Sequence, residues 1–469
     1  MKIYTTLFIA SLLAFSQSGC KKQLEAPPTD ALVEGNVITN QQTATTALNG
    51  VYYRFANATA INTNWLNNEI YPGILTGYLD DGNNTLNEAS NVLGKTGFNS
   101  IWSRYYILIN SANGVIDQIT PLDPNLFPAG RREQILAEAR FMRAFGHFKI
   151  LSWFGQWFDI NSPYGALIQD KFITATNYAK DRSGVKDSYQ FILDDLDYAI
   201  NNGAAAGTNI NAGKWCAMTL KMRVLLNRGQ GDDYTQCATL GNTIMNSGPY
   251  VLEASTKDIF YTKGLSSKEV MLGVTPQANQ GVYYYNISGN YVKRSSYYVA
   301  TAALNSLLGS DPRKSWYIGN AGFYGKGFYF IKYVQPTLTT TQLSEVAYPM
   351  RLSEVYLMTA EATARSGGNL AMARTLLKTV MGKAGVTDFT AVDATVTAND
   401  VLLQIYNEYV RNFVGEDDQY YFALLRFPLA TVTSLRPTIK TLQQYIYPIP
   451  SSEFINNPLI SEQNPGYSK

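Results

Sequence analysis

The stretch from Arg131 to Phe154 constrains the fold more than any other part of the chain, because apolar residues cover almost its whole helical circumference. Phe141, Phe145 and Phe148 form one stripe and Ile135, Ala139 and Met142 another, at spacings of three and four. A helix apolar on so many sides must be enclosed by other elements. The same stretch carries Arg140 and Arg143, which then need carboxylate partners on neighbouring helices, and Glu354 and Glu361 in the other half of the chain likewise need cationic ones. A mainly α body built around one central helix is the fold this predicts.

Periodicity predicts further helices at about 99–119, 185–201, 213–228, 233–247, 350–365, 370–384 and 398–413. An opening helix runs through Ala44, Ala47, Leu48 and Val51, with Thr39-Asn40 as its cap. Several helices pair antiparallel over about 34 residues, the spacing of tetratricopeptide-like units. Leu352 to Ala364, the turn Arg365-Ser366-Gly367-Gly368-Asn369 and Ala371 to Val380 make one such pair. Two stretches break the pattern. Asn57 to Gly97 is rich in Gly, Asn and Asp and too long for an idle connection, so it is read as a functional loop. From Val251 to Pro349 the chain turns to strand-length and irregular pieces rich in Tyr and Gly, with Glu269 to Val274 as the clearest strand. The organisation read is residues 1–19 as an export signal, 20–36 as a tether, 37–250 as an N-terminal helical region, and 251–469 as a C-terminal region. That last region carries a loop-rich, partly β insertion and the final helix pairs.

The start of the chain predicts its address. Lys2 precedes the apolar run Leu7 to Phe15, and the small-residue turn Ser16-Gln17-Ser18-Gly19 leads into Cys20. The run is far short of the roughly 20 residues that span a bilayer. A cysteine directly after such a turn is the residue that bacterial lipoproteins acylate, so Cys20 is the expected lipidation site and residues 1–19 are expected to be removed. Residues 21–36, with Pro27-Pro28, would lift the folded body off the membrane.

Composition narrows the chemistry. Lysine plus arginine, at 38, almost balances aspartate plus glutamate, at 36, so no global field draws the chain to nucleic acid. One histidine, His147, leaves no histidine-rich metal site, and its place on the central helix favours packing over catalysis. No nucleophile elbow or phosphate-binding loop is present, and no catalytic residue, metal or cofactor is assigned. Asp80-Asp81-Gly82-Asn83-Asn84 lacks the full pattern of a calcium loop and is read as a polar turn. If Cys216 and Cys237 lie on antiparallel helices joined near Gly229 to Gly231, their axial mismatch is roughly 9 Å, which predicts two buried free thiols. Tyrosines number 33 against 21 phenylalanines and 6 tryptophans, and many fall in the Asn/Gly-rich loops. Rings there can stack on the C–H faces of sugars while neighbouring Asn, Asp or Arg bond the hydroxyls. Trp65, Tyr71, Tyr78, Tyr284, Trp316 and Tyr317 are the candidate ligand contacts on this argument.

Four landmarks resemble the SusD/RagB family of nutrient-binding outer-membrane lipoproteins. They are Pro27-Pro28-Thr29-Asp30-Ala31-Leu32 with ATTALNGVYY (Ala44 to Tyr53), LAEARFMRAFGHFKILSWFG (Leu136 to Gly155), RLSEVYLMTAEA (Arg351 to Ala362) and YPIPSSEFINNPLISEQNPGY (Tyr447 to Tyr467). The resemblance implies a SusD-like helical scaffold with four tetratricopeptide-like units. It also implies a lid-like role on a SusC-like TonB-dependent transporter, capturing starch-like or other glycan fragments, or peptides in the RagB branch, without cleaving them. Two departures stand out. Gly415-Glu416-Asp417-Asp418-Gln419-Tyr420-Tyr421-Phe422-Ala423-Leu424 replaces the family's Gly-Glu-Gly-His-Arg-Trp-Phe-Asp-Leu and is read as structural, and Lys21-Lys22-Gln23 follow Cys20 where surface lipoproteins often carry acidic residues. A helical-repeat adaptor that only binds proteins is the reading from another class, and a glycoside hydrolase comes third.

Overall fold

The computed structural model of the chain describes residues 37–57, 65–80, 86–87, 92–93, 95–275, 298–321, 328–334 and 341–469. The export signal, Cys20, the tether, Asp81 to Asn84 and Tyr284 lie outside them.

Helix α1 (Gln41–Phe55) starts where the sequence places a cap: the Asn40 side chain accepts from the Thr43 N–H. α2 (Leu66–Thr76) corrects the reading of 57–97 as loop throughout. Pro72 inside the helix and the run of Asn residues before it masked the helical pattern. Short strands β1 (Leu79–Asp80), β2 (Leu86–Asn87) and β3 (Val92–Leu93) follow. Then α3 (Lys95–Ile119), α4 (Arg131–Phe154), α5 (Val185–Asn202), α6 (Lys214–Arg228) and α7 (Asp233–Ser247) each pack on the next, with α1 laid across α3 and α4. Enclosure of the central helix is as its composition demands. From Ile135 to Phe154 every residue of α4 is buried except Arg140.

Strand β4 (Val270–Val274) begins the less regular part, followed by β5 (Val299–Ala300), α8 (Ala302–Leu308), the single helical turn Lys314–Tyr317, β6 (Ile318–Ala321), β7 (Phe328–Phe330) and β8 (Ala347–Arg351). β4 and β8 pair antiparallel. Helices α9 (Leu352–Arg365), α10 (Leu370–Lys383), α11 (Ala398–Phe413) and α12 (Gln419–Leu425) complete the body. α9 packs on α7 as well as on α10 and α11, so one hydrophobic core runs through both halves.

The charges expected between helices are there. Arg143 grips Asp195 of α5 through Nε and Nη2 at 2.7 and 2.8 Å. Arg140, at 3.4 Å from the same carboxylate, is its weaker partner. Arg223 of α6 binds Glu354 of α9 through two bonds of 2.7 Å, and Glu361 takes Arg426 and Arg365. Cys216 and Cys237 are buried free thiols. His147 is locked as a neutral imidazole: Nδ1–H donates to the Arg143 carbonyl, Nε2 accepts from Gln169 N–H, and burial pushes its pKa down to about 3.

Candidate ligand-binding site

The two loop-rich stretches meet on one sheet. Its strands run antiparallel in the order β1-β5-β7-β6, with Leu79 opposite Ala300, Val299 opposite Tyr329 and Ile318 opposite Phe330. Thr301 fastens the junction: its hydroxyl donates to Gly77 O at 2.7 Å, across 224 residues of chain. Gly77 has φ +80°, and a Cβ there would fall 2.4 Å from the Arg436 guanidinium, so only glycine turns the chain from α2 into β1. In sequence, the ends of β1, β5, β6 and β7 are the roots of segments 81–85, 276–297 and 322–327.

The segment that departs from the family pattern meets cations beside two separate sheets: Lys332, two residues past β7, and Arg351, on β8 of the β4–β8 pair. Glu416, fully buried, accepts from Arg351 Nε at 2.8 Å and from Lys332 Nζ at 2.6 Å. Arg351 also binds Glu269 at 2.7 Å, and Lys332 donates to the carbonyls of Asn412 and Val414. Desolvation, with Arg351 and Arg313 nearby, pulls the Lys332 pKa down to about 7 against the attraction of Glu416. Asp417 binds Lys149 at 2.7 Å and Arg223 at 3.0 Å, and Asp418 takes Lys149 and the Trp153 indole N–H. Burial and the neighbouring Asp417 charge push Asp418 up, while Lys149 and Arg223 overcome burial to hold Asp417 down. Three consecutive acids thus tie Lys332 of the insertion, β8, α4 and α6 together. Gly415 makes the approach feasible, having φ +77° and a Cβ position only 2.4 Å from the Phe330 ring. Nearby, Arg313 binds Glu408 and Asp311 through paired bonds of 2.6 to 2.9 Å.

Three of the predicted contact rings are structural. Trp65 is buried against Phe55 and Phe145, with its N–H donated to Phe55 O at 3.0 Å. Trp316 is enclosed by Phe260, Tyr261 and Tyr317, and Tyr317 is fully buried with its hydroxyl directed to Asn412 O. These three rings pack into the core of their own stretches. Tyr71 and Tyr78 are half-buried on either side of the turn into β1, and Tyr78 hydrogen-bonds Tyr406. Tyr298, another ring of the insertion, is also half-buried beside the sheet.

Comparison with known proteins matches this architecture at both ends. A family model described as SusD family matches residues 288–438, and one described as starch-binding, associating with outer membrane, matches residues 28–212. The chain belongs to the SusD family. A SusD-like protein of Bacteroides ovatus is 26% identical over 182 residues, 37% of this chain and 32% of that one, so the match spans about a third of the relative. SusD superfamily structures share the fold over nearly their whole length. One from Bacteroides thetaiotaomicron has a TM-score of 0.71 at 21% identity, covering 90% of this chain and 99% of its own. One from Parabacteroides distasonis has a TM-score of 0.74 at 17% identity, covering 91% and 99%. A laminarin binding SusD-like protein has a TM-score of 0.70 at 21% identity, covering 92% and 100%. The SusD fold of this chain thus places its loop-bearing sheet on one continuous helical body.

Proposed function

We propose that this chain is a glycan-binding lipoprotein of the outer membrane, anchored through Cys20, facing the cell exterior, and delivering captured oligosaccharide to a SusC-like TonB-dependent transporter. The observation that carries the reading is the sheet that gathers, in sequence, the roots of the Tyr- and Asn-rich segments, with Lys332, just past its strand β7, held to the helical core by a buried ion pair. A rigid base under ring-bearing segments suits recognition of extended polar ligands, and requires no bond cleavage. Tyr71, Tyr78 and Tyr284 remain the proposed contact rings. Two neighbours in fold, described as a laminarin binding SusD-like protein and a putative sugar binding protein of Bacteroides vulgatus, support the ligand class.

Calorimetry on the soluble form beginning at Lys21 tests this with α-glucans, β-glucans, mannans, fructans and mixed oligopeptides. Saturable binding of one glycan class, weakened by Tyr78→Ala without loss of melting temperature, is expected. Binding of peptides alone moves the chain to the RagB-like branch, and silence across the panel favours a protein-binding adaptor.

A further inference from the structure

Helix α1 turns a polar face away from the core, with Thr45, Asn49 and Tyr52 at spacings of four and three. That face floors an open groove. Its wider part, about 700 Å³, lies between α1, the first turns of α4 and residues 204–213. A narrower part of about 270 Å³ continues past Asn49 and Asn211, which line both, to Phe55, Ala56 and Thr275. The wider part alone is within the usual range for ligand pockets. From Thr45 to Ala56 the helix rises about 16 Å, the reach of an extended chain rather than of one ring. Ala56 and Thr275 stand within two residues, in sequence, of segments 58–64 and 276–297.

The lining selects a chemistry. Arg131 and Glu138 neutralise one another at 3.0 Å, and the same carboxylate accepts the Tyr52 hydroxyl at 2.8 Å. Burial pushes the Glu138 carboxyl up, the direction that further disfavours a free negative charge facing the groove. Lys268, exposed at the rim, is the remaining charged residue of the lining. Side-chain amides of Asn49, Gln134, Asn209 and Asn211 supply donors and acceptors, and half-buried Tyr250 supplies an apolar surface. Neutral hydroxyls alternating with C–H faces match such a wall better than phosphate, nucleic acid or a charged peptide.

We infer that this groove holds the run of a neutral oligosaccharide extending beyond the loop-bearing sheet. The inference rests on the glycan reading and adds a second contact region on the helical body. Asn49 is exposed on α1, so Asn49→Trp obstructs the groove without entering the core. Short and long oligosaccharides of α-glucan, β-glucan, mannan and fructan are titrated into the soluble wild type and into Asn49→Trp, with melting curves on both. The expected result is a long-chain preference of about tenfold in the wild type that falls below about threefold in Asn49→Trp, with short-chain affinity and melting unchanged. Equal long-chain preference in both proteins, or no preference in the wild type, overturns the groove while leaving the glycan reading intact. No binding at either length in any class overturns the glycan reading itself.

Discussion

His147 makes acid sensitivity of the fold a quantitative test, because it is the only histidine in the chain. In the folded protein burial drives its pKa to about 3, against an ordinary 6.5, and both ring nitrogens are already bonded as the neutral form requires. The sign follows. A depressed folded pKa means the unfolded chain binds the extra proton first, so this stabilisation is present above pH 6.5 and is lost as pH falls toward 3. Between pH 7 and pH 5 the unfolded chain gains about 0.7 proton here and the folded chain almost none, a loss of about 2 kcal/mol. Urea unfolding at pH 7, 6 and 5, run on wild type and His147→Gln, isolates the effect. Contributions of the carboxylates and of Lys332 are common to both proteins and cancel in the difference. A wild-type stability that falls about 2 kcal/mol more steeply than that of His147→Gln is expected. Parallel pH profiles would refute the buried, neutral assignment.

The ion pairs give further contrasts. Arg143→Met strands the buried Asp195 and is expected to cost about 3–5 kcal/mol, whereas Arg140→Met, which loses a longer contact and a half-exposed stack on Tyr198, costs about 1 kcal/mol and leaves glycan affinity of the folded protein intact. Denaturant midpoints rank the two, and equal losses would contradict the geometry. Trp316→Ala should destabilise by about 3–5 kcal/mol through the cavity it leaves, so lowered binding with an unchanged melting temperature would return Trp316 to the ligand site. Arg426 and Arg365 overcome burial to hold Glu361 at about 2 rather than 4.5, so Glu361 contributes about 3 kcal/mol that is lost as pH falls from 4.5 to 2. Acid unfolding of Glu361→Gln should be correspondingly flatter over that window.

The helical body was legible because its signals are local and repeated. Arg131 to Phe154 announces an enclosed helix by composition alone, and Asn40 announces a cap. α2 was hidden because Pro72 and Gly73 break the helical pattern in sequence, and only the fold shows why a glycine is needed: Leu79 packs so tightly on Gly73 that an added Cβ would sit 2.6 Å away. At the candidate site, sequence could not decide which rings face inward. Trp316 and Tyr317 occupy a short helical turn whose burial is set by Phe260 and Asn412, partners far along the chain. The groove on α1 escaped notice for the converse reason. Asn49 and Tyr52 belong to an ordinary amphipathic helix, and only the fold brings residues 204–213 over them.

Glu416, Asp417 and Asp418 show why the departure from the family pattern does not weaken the scaffold. Glu416 meets Lys332 and Arg351, while Asp417 and Asp418 share Lys149 of α4 and Asp417 also meets Arg223 of α6. Buried pairs of this kind add little net stability over apolar packing, but removing one partner leaves an uncompensated charge. Their value is directional: an apolar interface tolerates sliding, whereas Arg351 satisfied by Glu416, Glu269 and Asn412 admits one seating of β8 against the end of α11. Substitution of Glu416 by Gln should therefore do more than destabilise. It frees Lys332 beside β7 and Arg351 on β8 while leaving the helix pairs folded, so amide exchange should rise selectively at β7 and β8, and ligand affinity should fall with it. Uniform loss of protection across α4 and α9 as well would mean that the three acids hold the core as a whole and confer no particular seating on β7 and β8.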